Sequence, residues 1–348
     1  MIEKIIDWSA RNRLFVFLGV VFAVLYSLWC IRNIPLDAIP DLSDTQVIVF
    51  SRWDRPPDII EDQVTYPIVS SLLGAPRVKD IRAFSDYGFS YVYIIFDDGT
   101  DVYWARTRVL EYLSKVTPLL PEGVKAELGP DATGIGWVFQ YALVDKSGKH
   151  SLQELRAFQD WHLRYALQSV KGVAEVASIG GFEKQYQVIV KPEALLSLNI
   201  PLHEVVMAIR KANQEVGARL VEIAGTEFMV TGRGYIRSVE DLEETIVMTD
   251  PHGVPVKIKD VAEVVVGPEI RRGMAELDGE GEAVGGIVVM RYGENALKVI
   301  DRVKEKLREV QFPEGTEVVV TYDRSDLINR SINTLKTKLA EEMLVVSL

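Results

Sequence analysis

One cysteine, Cys30, stands in a chain of 348 residues, so no intramolecular disulfide can form. Four histidines and that one cysteine cannot build a Cys/His zinc cluster, and no two of His150, His162, His203 and His252 have the helix-face spacing of metal ligands. Basic residues are scarce: 39 Lys and Arg stand against 50 Asp and Glu, a net charge of −11. A surface of that sign repels phosphate, which excludes nucleic acid as a partner. The glycines at 134, 136, 180, 181, 285 and 286 make neither GxGxxG nor a phosphate loop, and no nucleophile–base set is visible. Asp97-Asp-Gly-Thr-Asp101 lacks the second aspartate, two residues after the first, that a phosphatase-like nucleophile requires; Gly99 stands there. Asx-type capping of the helix at Tyr103 accounts for these acids better. Asp278, Glu280 and Glu282 alternate with glycines as in a calcium loop, but Ala283 occupies the position where the sharp turn needs glycine.

Apolar residues are plentiful, at 48%, which excludes a disordered or collagen-like chain and leaves room for about two domains. Leu14 to Ile31 carries no charge and is long enough to span a bilayer. Lys4, Arg11 and Arg13 precede it, while Asp37, Asp41 and Asp44 follow. By the positive-inside rule the N-terminus faces the cytoplasm and the rest of the chain lies outside. No small-x-small cleavage site follows the run, so a retained membrane helix is expected rather than a signal peptide. Met1–Ala10 reads as a short interfacial helix lying on lipid. The span holds no ionisable side chain and is an anchor or packing helix, not a proton path. Ile328, Ile332, Leu335, Leu339 and Met343 recur at helical spacing and run into an apolar stub, which reads as the start of another membrane span in a truncated chain.

Between the ends the chain repeats itself. Strands are expected at Val47–Ser51, Val78–Phe84, Ser90–Phe96 and Val124–Leu128, with helices at Asp58–Leu73 and Trp104–Val116; Pro67 should kink the first helix or mark a boundary in it. That order is β-α-β-β-α-β, a split βαβ or ferredoxin-like unit. A second such unit begins with a strand at Trp137–Val144, a helix opened by the capping-box pair Ser151 and Glu154, and a strand at Val173–Ile179. It resumes only at Ala283–Arg291, Ala296–Val310 and Glu317–Tyr322. Helix 108–116 matches helix 302–310, and both are followed by Pro-Glu-Gly, at Pro121 and Pro313, as duplication would give. Residues 180–270 interrupt the second unit with elements of their own: Tyr186–Val190, a helix from Leu202 to Asn213, Val239–Val247 and Val254–Ile258. Gly217 to Gly234 forms an extended hairpin, with Leu220 and Gly225 along it, that pairs locally or reaches a neighbouring subunit.

Several segments then resemble, in order, the N-terminal part of the heavy-metal resistance-nodulation-division efflux pumps. They are Pro35-Leu-Asp-Ala-Ile-Pro-Asp-Leu42, Asp97-Asp-Gly-Thr-Asp-Val-Tyr-Trp-Ala-Arg106, Gly129-Pro-Asp-Ala-Thr-Gly134, Val173-Ala-Glu-Val-Ala-Ser178 and Gly267-Pro-Glu-Ile-Arg-Arg-Gly273. The resemblance covers the whole chain, and its wording is nearer the copper/silver branch than the cobalt-zinc-cadmium one. It implies an α+β chain in which residues 1–34 form the interfacial and first transmembrane helix and 35–130 the first porter subdomain. Residues 131–180 and 270–322 would form the second porter subdomain, 181–269 a docking domain, and 323–348 the start of a second transmembrane helix. It also implies a homotrimer in the inner membrane, most of this chain in the periplasm, an adaptor protein and an outer-membrane channel as partners, and proton-driven export of Cu(I) or Ag(I). No enzyme activity and no cofactor beyond the transported ion are implied. In the family the proton-relay acids and main metal site lie downstream, so this chain would be the first third of a pump and would not transport alone.

Within the chain, Met229 and Met274 are the candidate thioether contacts for a soft ion; Met290 and Met343 read as core filler. Where copper/silver relatives can carry methionine before the arginine pair, this chain has Ile270. Arg106, Arg108, Arg271 and Arg272 are expected to pair with Asp97, Asp101 or Glu269. Zn(II), Co(II) or Ni(II) is the alternative cargo. A single-span periplasmic scaffold or binding protein and a membrane-tethered hydrolase are the rival classes.

Overall fold

Fourteen strands organise the described residues of a computed structural model, which are 8–33, 37–232, 234–249, 253–270 and 273–347. In chain order they are β1 (Gln46–Arg52), β2 (Val78–Asp86), β3 (Phe89–Phe96), β4 (Ala126–Leu128), β5 (Trp137–Asp145), β6 (Val173–Gly180) and β7 (Lys184–Val190). There follow β8 (Val216–Ile223), β9 (Thr226–Gly232), β10 (Ile246–Thr249), β11 (Pro255–Lys257), β12 (Ala262–Pro268), β13 (Val284–Met290) and β14 (Thr316–Asp323). The chain divides into two compact units. The first comprises Met1–His150, Phe158–Ile179 and Ala283–Leu348; the second comprises Ser151–Ala157 and Gly180–Glu282.

The first unit holds two four-stranded sheets. One has the order β2-β3-β1-β4, with β1 antiparallel to β3 and to β4, so that Val49 lies opposite both Val92 and Leu128. Alternation along β1 sends Val47, Val49 and Ser51 inward, toward the helices Pro57–Ile60, Tyr66–Leu72 and Val102–Val116. The last of these buries Ala105, Val109, Leu113 and Val116, a stripe at three- and four-residue spacing. Asp101 caps it, its carboxylate accepting the Trp104 amide at 2.7 Å, the role expected for the acids of that turn. The other sheet has the order β14-β5-β13-β6, with β5 antiparallel to both β13 and β14. Its buried side chains include Val138, Tyr141, Leu143 and Val288, with Val299, Ile300 and Val303 of the helix Ala296–Glu309.

Each sheet's first helical run contains a π-turn that periodicity did not announce. Glu61–Thr65 joins Pro57–Ile60 to Tyr66–Leu72 in one continuous run: the Tyr66 amide bonds five residues back to the Glu61 carbonyl, and Pro67, with no N–H to give, follows directly. Gln159–Leu163 separates Leu152–Phe158 from Arg164–Gln168. The expected capping box is present: the Ser151 amide donates to Glu154 at 2.9 Å and the Glu154 amide to Ser151 Oγ at 3.3 Å.

The helix Arg13–Asn33 is the one element among the described residues long and apolar enough to cross a membrane. Its apolar side chains are exposed all round, Phe22 at 69%, so the helix requires lipid or protein around it. Of the expected interfacial helix, Met1–Asp7 lies outside the described residues. The helix Arg324–Ser347 follows β14 without an intervening residue.

In the second unit β7 pairs with β12, β10 with β11 and β8 with β9, all antiparallel. The stretch expected as one element at Val239–Val247 is two: a short helix Val239–Glu243, capped reciprocally by Ser238 and Asp241, and then β10. Leu195, Ile200, Val205, Val256 and Val261 form one small core, and Leu242, Ile258, Ala262 and Val264 another.

Candidate functional site

The β8–β9 hairpin turns at Ala224 and Gly225, whose φ values are 53° and 77°. Positive φ at both central residues of a two-residue loop matches the right-handed twist of the flanking strands, and Gly225 adopts it without steric penalty. Leu220 faces Met229 and Val221 faces Phe228 across the ladder. These pairs occupy alternate faces, yet all four side chains are exposed, Leu220 at 60% and Met229 at 71%. A two-stranded ribbon with apolar groups on both faces buries too little of itself to be stable alone. Gly217 lies within β8, in open space; Gly234 lies just past β9, where any side chain would strike the Gln214 carbonyl. Beside it a cavity of about 610 Å³ is lined by Tyr235, Ile236, Arg237, Asp241 and Glu244. Glu244 accepts from Lys259 at 2.5 Å and from Lys257, and these two ammonium groups hold its carboxyl down, to about 2.

Met274 is 63% exposed, on the segment between β12 and β13. Met290 lines a cavity at the end of β13. Among the described residues no group of three or more His, Cys, Asp or Glu side chains could hold a metal ion. His150 Nε2 lies 3.1 Å from the Glu314 carbonyl, His162 stacks on Phe158, and His203 sits 3.4 Å from Glu204. His252 lies outside the described residues.

Arg106 and Arg108 do not follow the expected pairing. Arg106 donates to the Gly129 carbonyl at 2.7 Å, and Arg108 pairs with Glu111 at 2.7 Å while its guanidinium lies over Trp104. Asp101 is committed to capping, and Arg271 and Arg272 lie outside the described residues.

Charged groups converge instead on a hub within the first unit. A cavity of about 310 Å³ opens there, lined by residues of three segments, 37–41, 133–136 and 290–294. Tyr103 donates to the Asp131 carboxylate at 3.1 Å, and Arg291 Nε lies 3.7 Å from the same carboxylate while donating to the Val173 carbonyl at 3.1 Å. Burial, together with the hydrogen bond and charge of Asp131, pushes the Tyr103 phenol up; Arg291 and Arg106 oppose this. Burial disfavours the charge of Asp41, but hydrogen bonds from Thr133 and Ser43 outweigh it and hold its carboxyl down. Arg324, 4% exposed, donates to Asp37 at 3.0 Å, to the Trp137 carbonyl at 2.8 Å and to the Tyr322 hydroxyl at 3.3 Å. The motif segments 35–42, 97–106 and 129–134, scattered in sequence, each contribute to these contacts. Asp131, Arg291 and Arg324 were not singled out from sequence. The available signal was arginine's preference for planar carboxylate pairs, but the partner of Arg324 stands 287 residues away.

A family model described as the AcrB/AcrD/AcrF family matches residues 5–348. The cation efflux system protein CusA of Escherichia coli (strain K12) is 51% identical over 350 residues, covering 100% of this chain and 33% of its own. The cobalt-zinc-cadmium resistance protein CzcA of Cupriavidus metallidurans is 36% identical over 356 residues, covering 99% of this chain and 33% of its own. A crystal structure of a heavy metal efflux pump superposes with a TM-score of 0.86 at 30% identity, over 97% of this chain and 34% of that one. The chain thus spans about a third of the length of the proteins it matches, their N-terminal third, and it belongs to the AcrB/AcrD/AcrF family.

Proposed function

We propose that this chain is the N-terminal third of a heavy-metal efflux permease of the resistance-nodulation-division type, with Cu(I) or Ag(I) as its cargo, and that it is part of a transporter rather than an enzyme. The observation that carries the reading is similarity along the whole chain, at 51% to CusA against 36% to the cobalt-zinc-cadmium protein CzcA. The sheet orders fit it: in each four-stranded sheet the strand first in sequence lies between the third and the fourth, as in a split βαβ unit.

On this reading residues 1–34 anchor the chain in the inner membrane, with most of the remainder in the periplasm. Residues 35–130 form one porter subdomain, 131–180 with 270–322 a second, and 181–269 the docking domain. Residues 323–348 lead into the next membrane helix. The exposed β8–β9 hairpin, with Gly217, Leu220, Gly225 and Gly234 shaping it and its base, reaches a neighbouring copy in a homotrimer. A periplasmic adaptor and an outer-membrane channel complete the path. Export follows from porter subdomains closing in turn across the trimer, driven by protons through membrane helices outside this chain. Met229 and Met274 are accessible thioethers that a soft ion could touch in passing.

The test is metal tolerance conferred by the complete permease, this chain extended through the rest of its reading frame, in a Gram-negative host deprived of its own copper and silver exporters. Raised tolerance to Ag(I) and Cu(I), with none to Zn(II) or Co(II), is the expected outcome. Tolerance to Zn(II), Co(II) or Ni(II) alone would move the chain to the other branch. A frame that stops at codon 348 would leave a single-span scaffold as the better account.

A further inference from the structure

We propose that Asp37 and Arg324 form a buried ionic clamp that holds the exit of the first membrane helix against the second sheet, so that both membrane-side connections of the first unit move with that sheet. Asp37 follows the helix Arg13–Asn33 by four residues, and Arg324 opens the helix Arg324–Ser347. Their side chains are 20% and 5% exposed and meet at 3.0 Å. A guanidinium so deeply placed needs several acceptors, because leaving its charge unpaired out of water is expensive. Arg324 finds three: the Asp37 carboxylate, the Trp137 carbonyl where β5 begins, and the Tyr322 hydroxyl on β14. The planar fork of arginine lets one side chain serve all of them, which the single ammonium of lysine cannot do with the same geometry.

The far side of the clamp is stiff. No residue separates β14 from the helix that Arg324 opens. Asp323 accepts the Ser325 amide at 2.9 Å and the Ser325 hydroxyl at 2.6 Å. Lys304, on the helix Ala296–Glu309, pairs with Asp323 and donates to Ser325 Oγ at 3.1 Å. The strand, the packed helix and the start of the C-terminal helix are therefore one joint. The near side has no such joint, since residues 37–45 carry neither helix nor strand before β1 begins. Asp37 ties that irregular segment to the joint. The chain leaves the first membrane helix toward the first sheet, yet the half-buried Asp37 carboxylate is spent on the second sheet. Displacement at Asp37, or of the helix Arg324–Ser347, is thereby delivered to β5 and β14.

Amide hydrogen exchange on the 348-residue chain in lipid nanodiscs tests the clamp without any assumption about transport. Asp37→Asn leaves Arg324 its two other acceptors and keeps the joint folded; it is expected to raise exchange across 37–43 by about tenfold. Arg324→Gln is expected to do the same, and the double variant to do no more than either single one, because each removes the same contact. Arg324→Lys should fall between. Asp326→Asn, an exposed neighbour on the same helix turn, should leave 37–43 unchanged. Unchanged exchange in Asp37→Asn, or singles whose effects multiply in the double, would overturn the clamp.

Its consequence for export rests on the proposed function. In the complete permease, Asp37→Asn should lower the efflux rate per trimer while membrane abundance and thermal midpoint stay at the wild-type value. A wild-type protein that exports nothing would defeat the transport reading and leave the exchange result standing. An exporting wild type matched by Asp37→Asn would confine the clamp to structure.

Discussion

Tyr141 gives its hydroxyl hydrogen to Gln159 Oε1 at 2.9 Å with both side chains essentially out of water, and Gln159 Nε2 lies 3.3 Å from Ser178 Oγ. Burial pushes the Tyr141 phenol up, so it remains a neutral donor at any working pH. Removing one partner strands the other, at a cost of about 1–3 kcal/mol, whereas removing both is much milder. Tyr141→Phe should therefore lower stability by that amount in denaturant titrations of the detergent-solubilised chain. Tyr141→Phe combined with Gln159→Leu should be less damaging than the two single effects summed; simple additivity would mean that the bond contributes nothing of its own. Glu244 offers a test by pH. Its carboxyl is held near 2 against an ordinary value of 4.5, so its contribution is present above pH 4.5 and is lost as pH falls toward 2. Glu244→Gln should lower the melting temperature of the second unit at neutral pH, with the gap to wild type closing between pH 4.5 and 2. A gap that stays constant through this window would show that the carboxylate's pairing with Lys257 and Lys259 has no stabilising effect.

At the scale of elements, most helices and strands were legible because burial imposes a period, 3.6 in helices and 2 in strands. The alternation in β1 and the stripe Ala105, Val109, Leu113 and Val116 follow that rule directly. The π-turns at Glu61–Thr65 and Gln159–Leu163 were not legible, since one extra residue in a turn shifts the stripe without breaking it. The split of 239–249 into helix and strand turns on the Ser238–Asp241 capping pair. In the β8–β9 hairpin, Glu222 lies directly opposite Glu227, a like-charge pair that weakens the tip. On the proposed function, the hairpin's exposed apolar faces are an arm for another copy. Replacing Leu220 and Met229 together by Ser should shift the permease from trimer to monomer in native mass spectrometry while the protomer's melting temperature is unchanged. A trimer that persists would place its cohesion elsewhere.

At the scale of the whole molecule, the order of five motif segments was enough to indicate the family, because such an order encodes a topology as well as a chemistry. What those residues do was less legible. Arg106 and Arg108 were expected to meet Asp97 or Asp101 on grounds of type and nearness in sequence, and they bind the Gly129 carbonyl and Glu111 instead. The hub at 37–41, 131–136 and 290–294 depends on contacts that only the fold brings together, Asp37 with Arg324 above all. A single sequence carries the residue types for such contacts but not their long-range pairing. On the proposed function this chain begins a proton-driven exporter of soft monovalent ions. Its most direct test is metal flux in proteoliposomes that hold the complete permease under an imposed pH gradient. Movement of Ag(I) and Cu(I) that collapses with the gradient, beside little or no movement of Zn(II), is the expected result. No flux of any ion under the gradient, or flux of Zn(II) and Co(II) in preference to Ag(I), would contradict it.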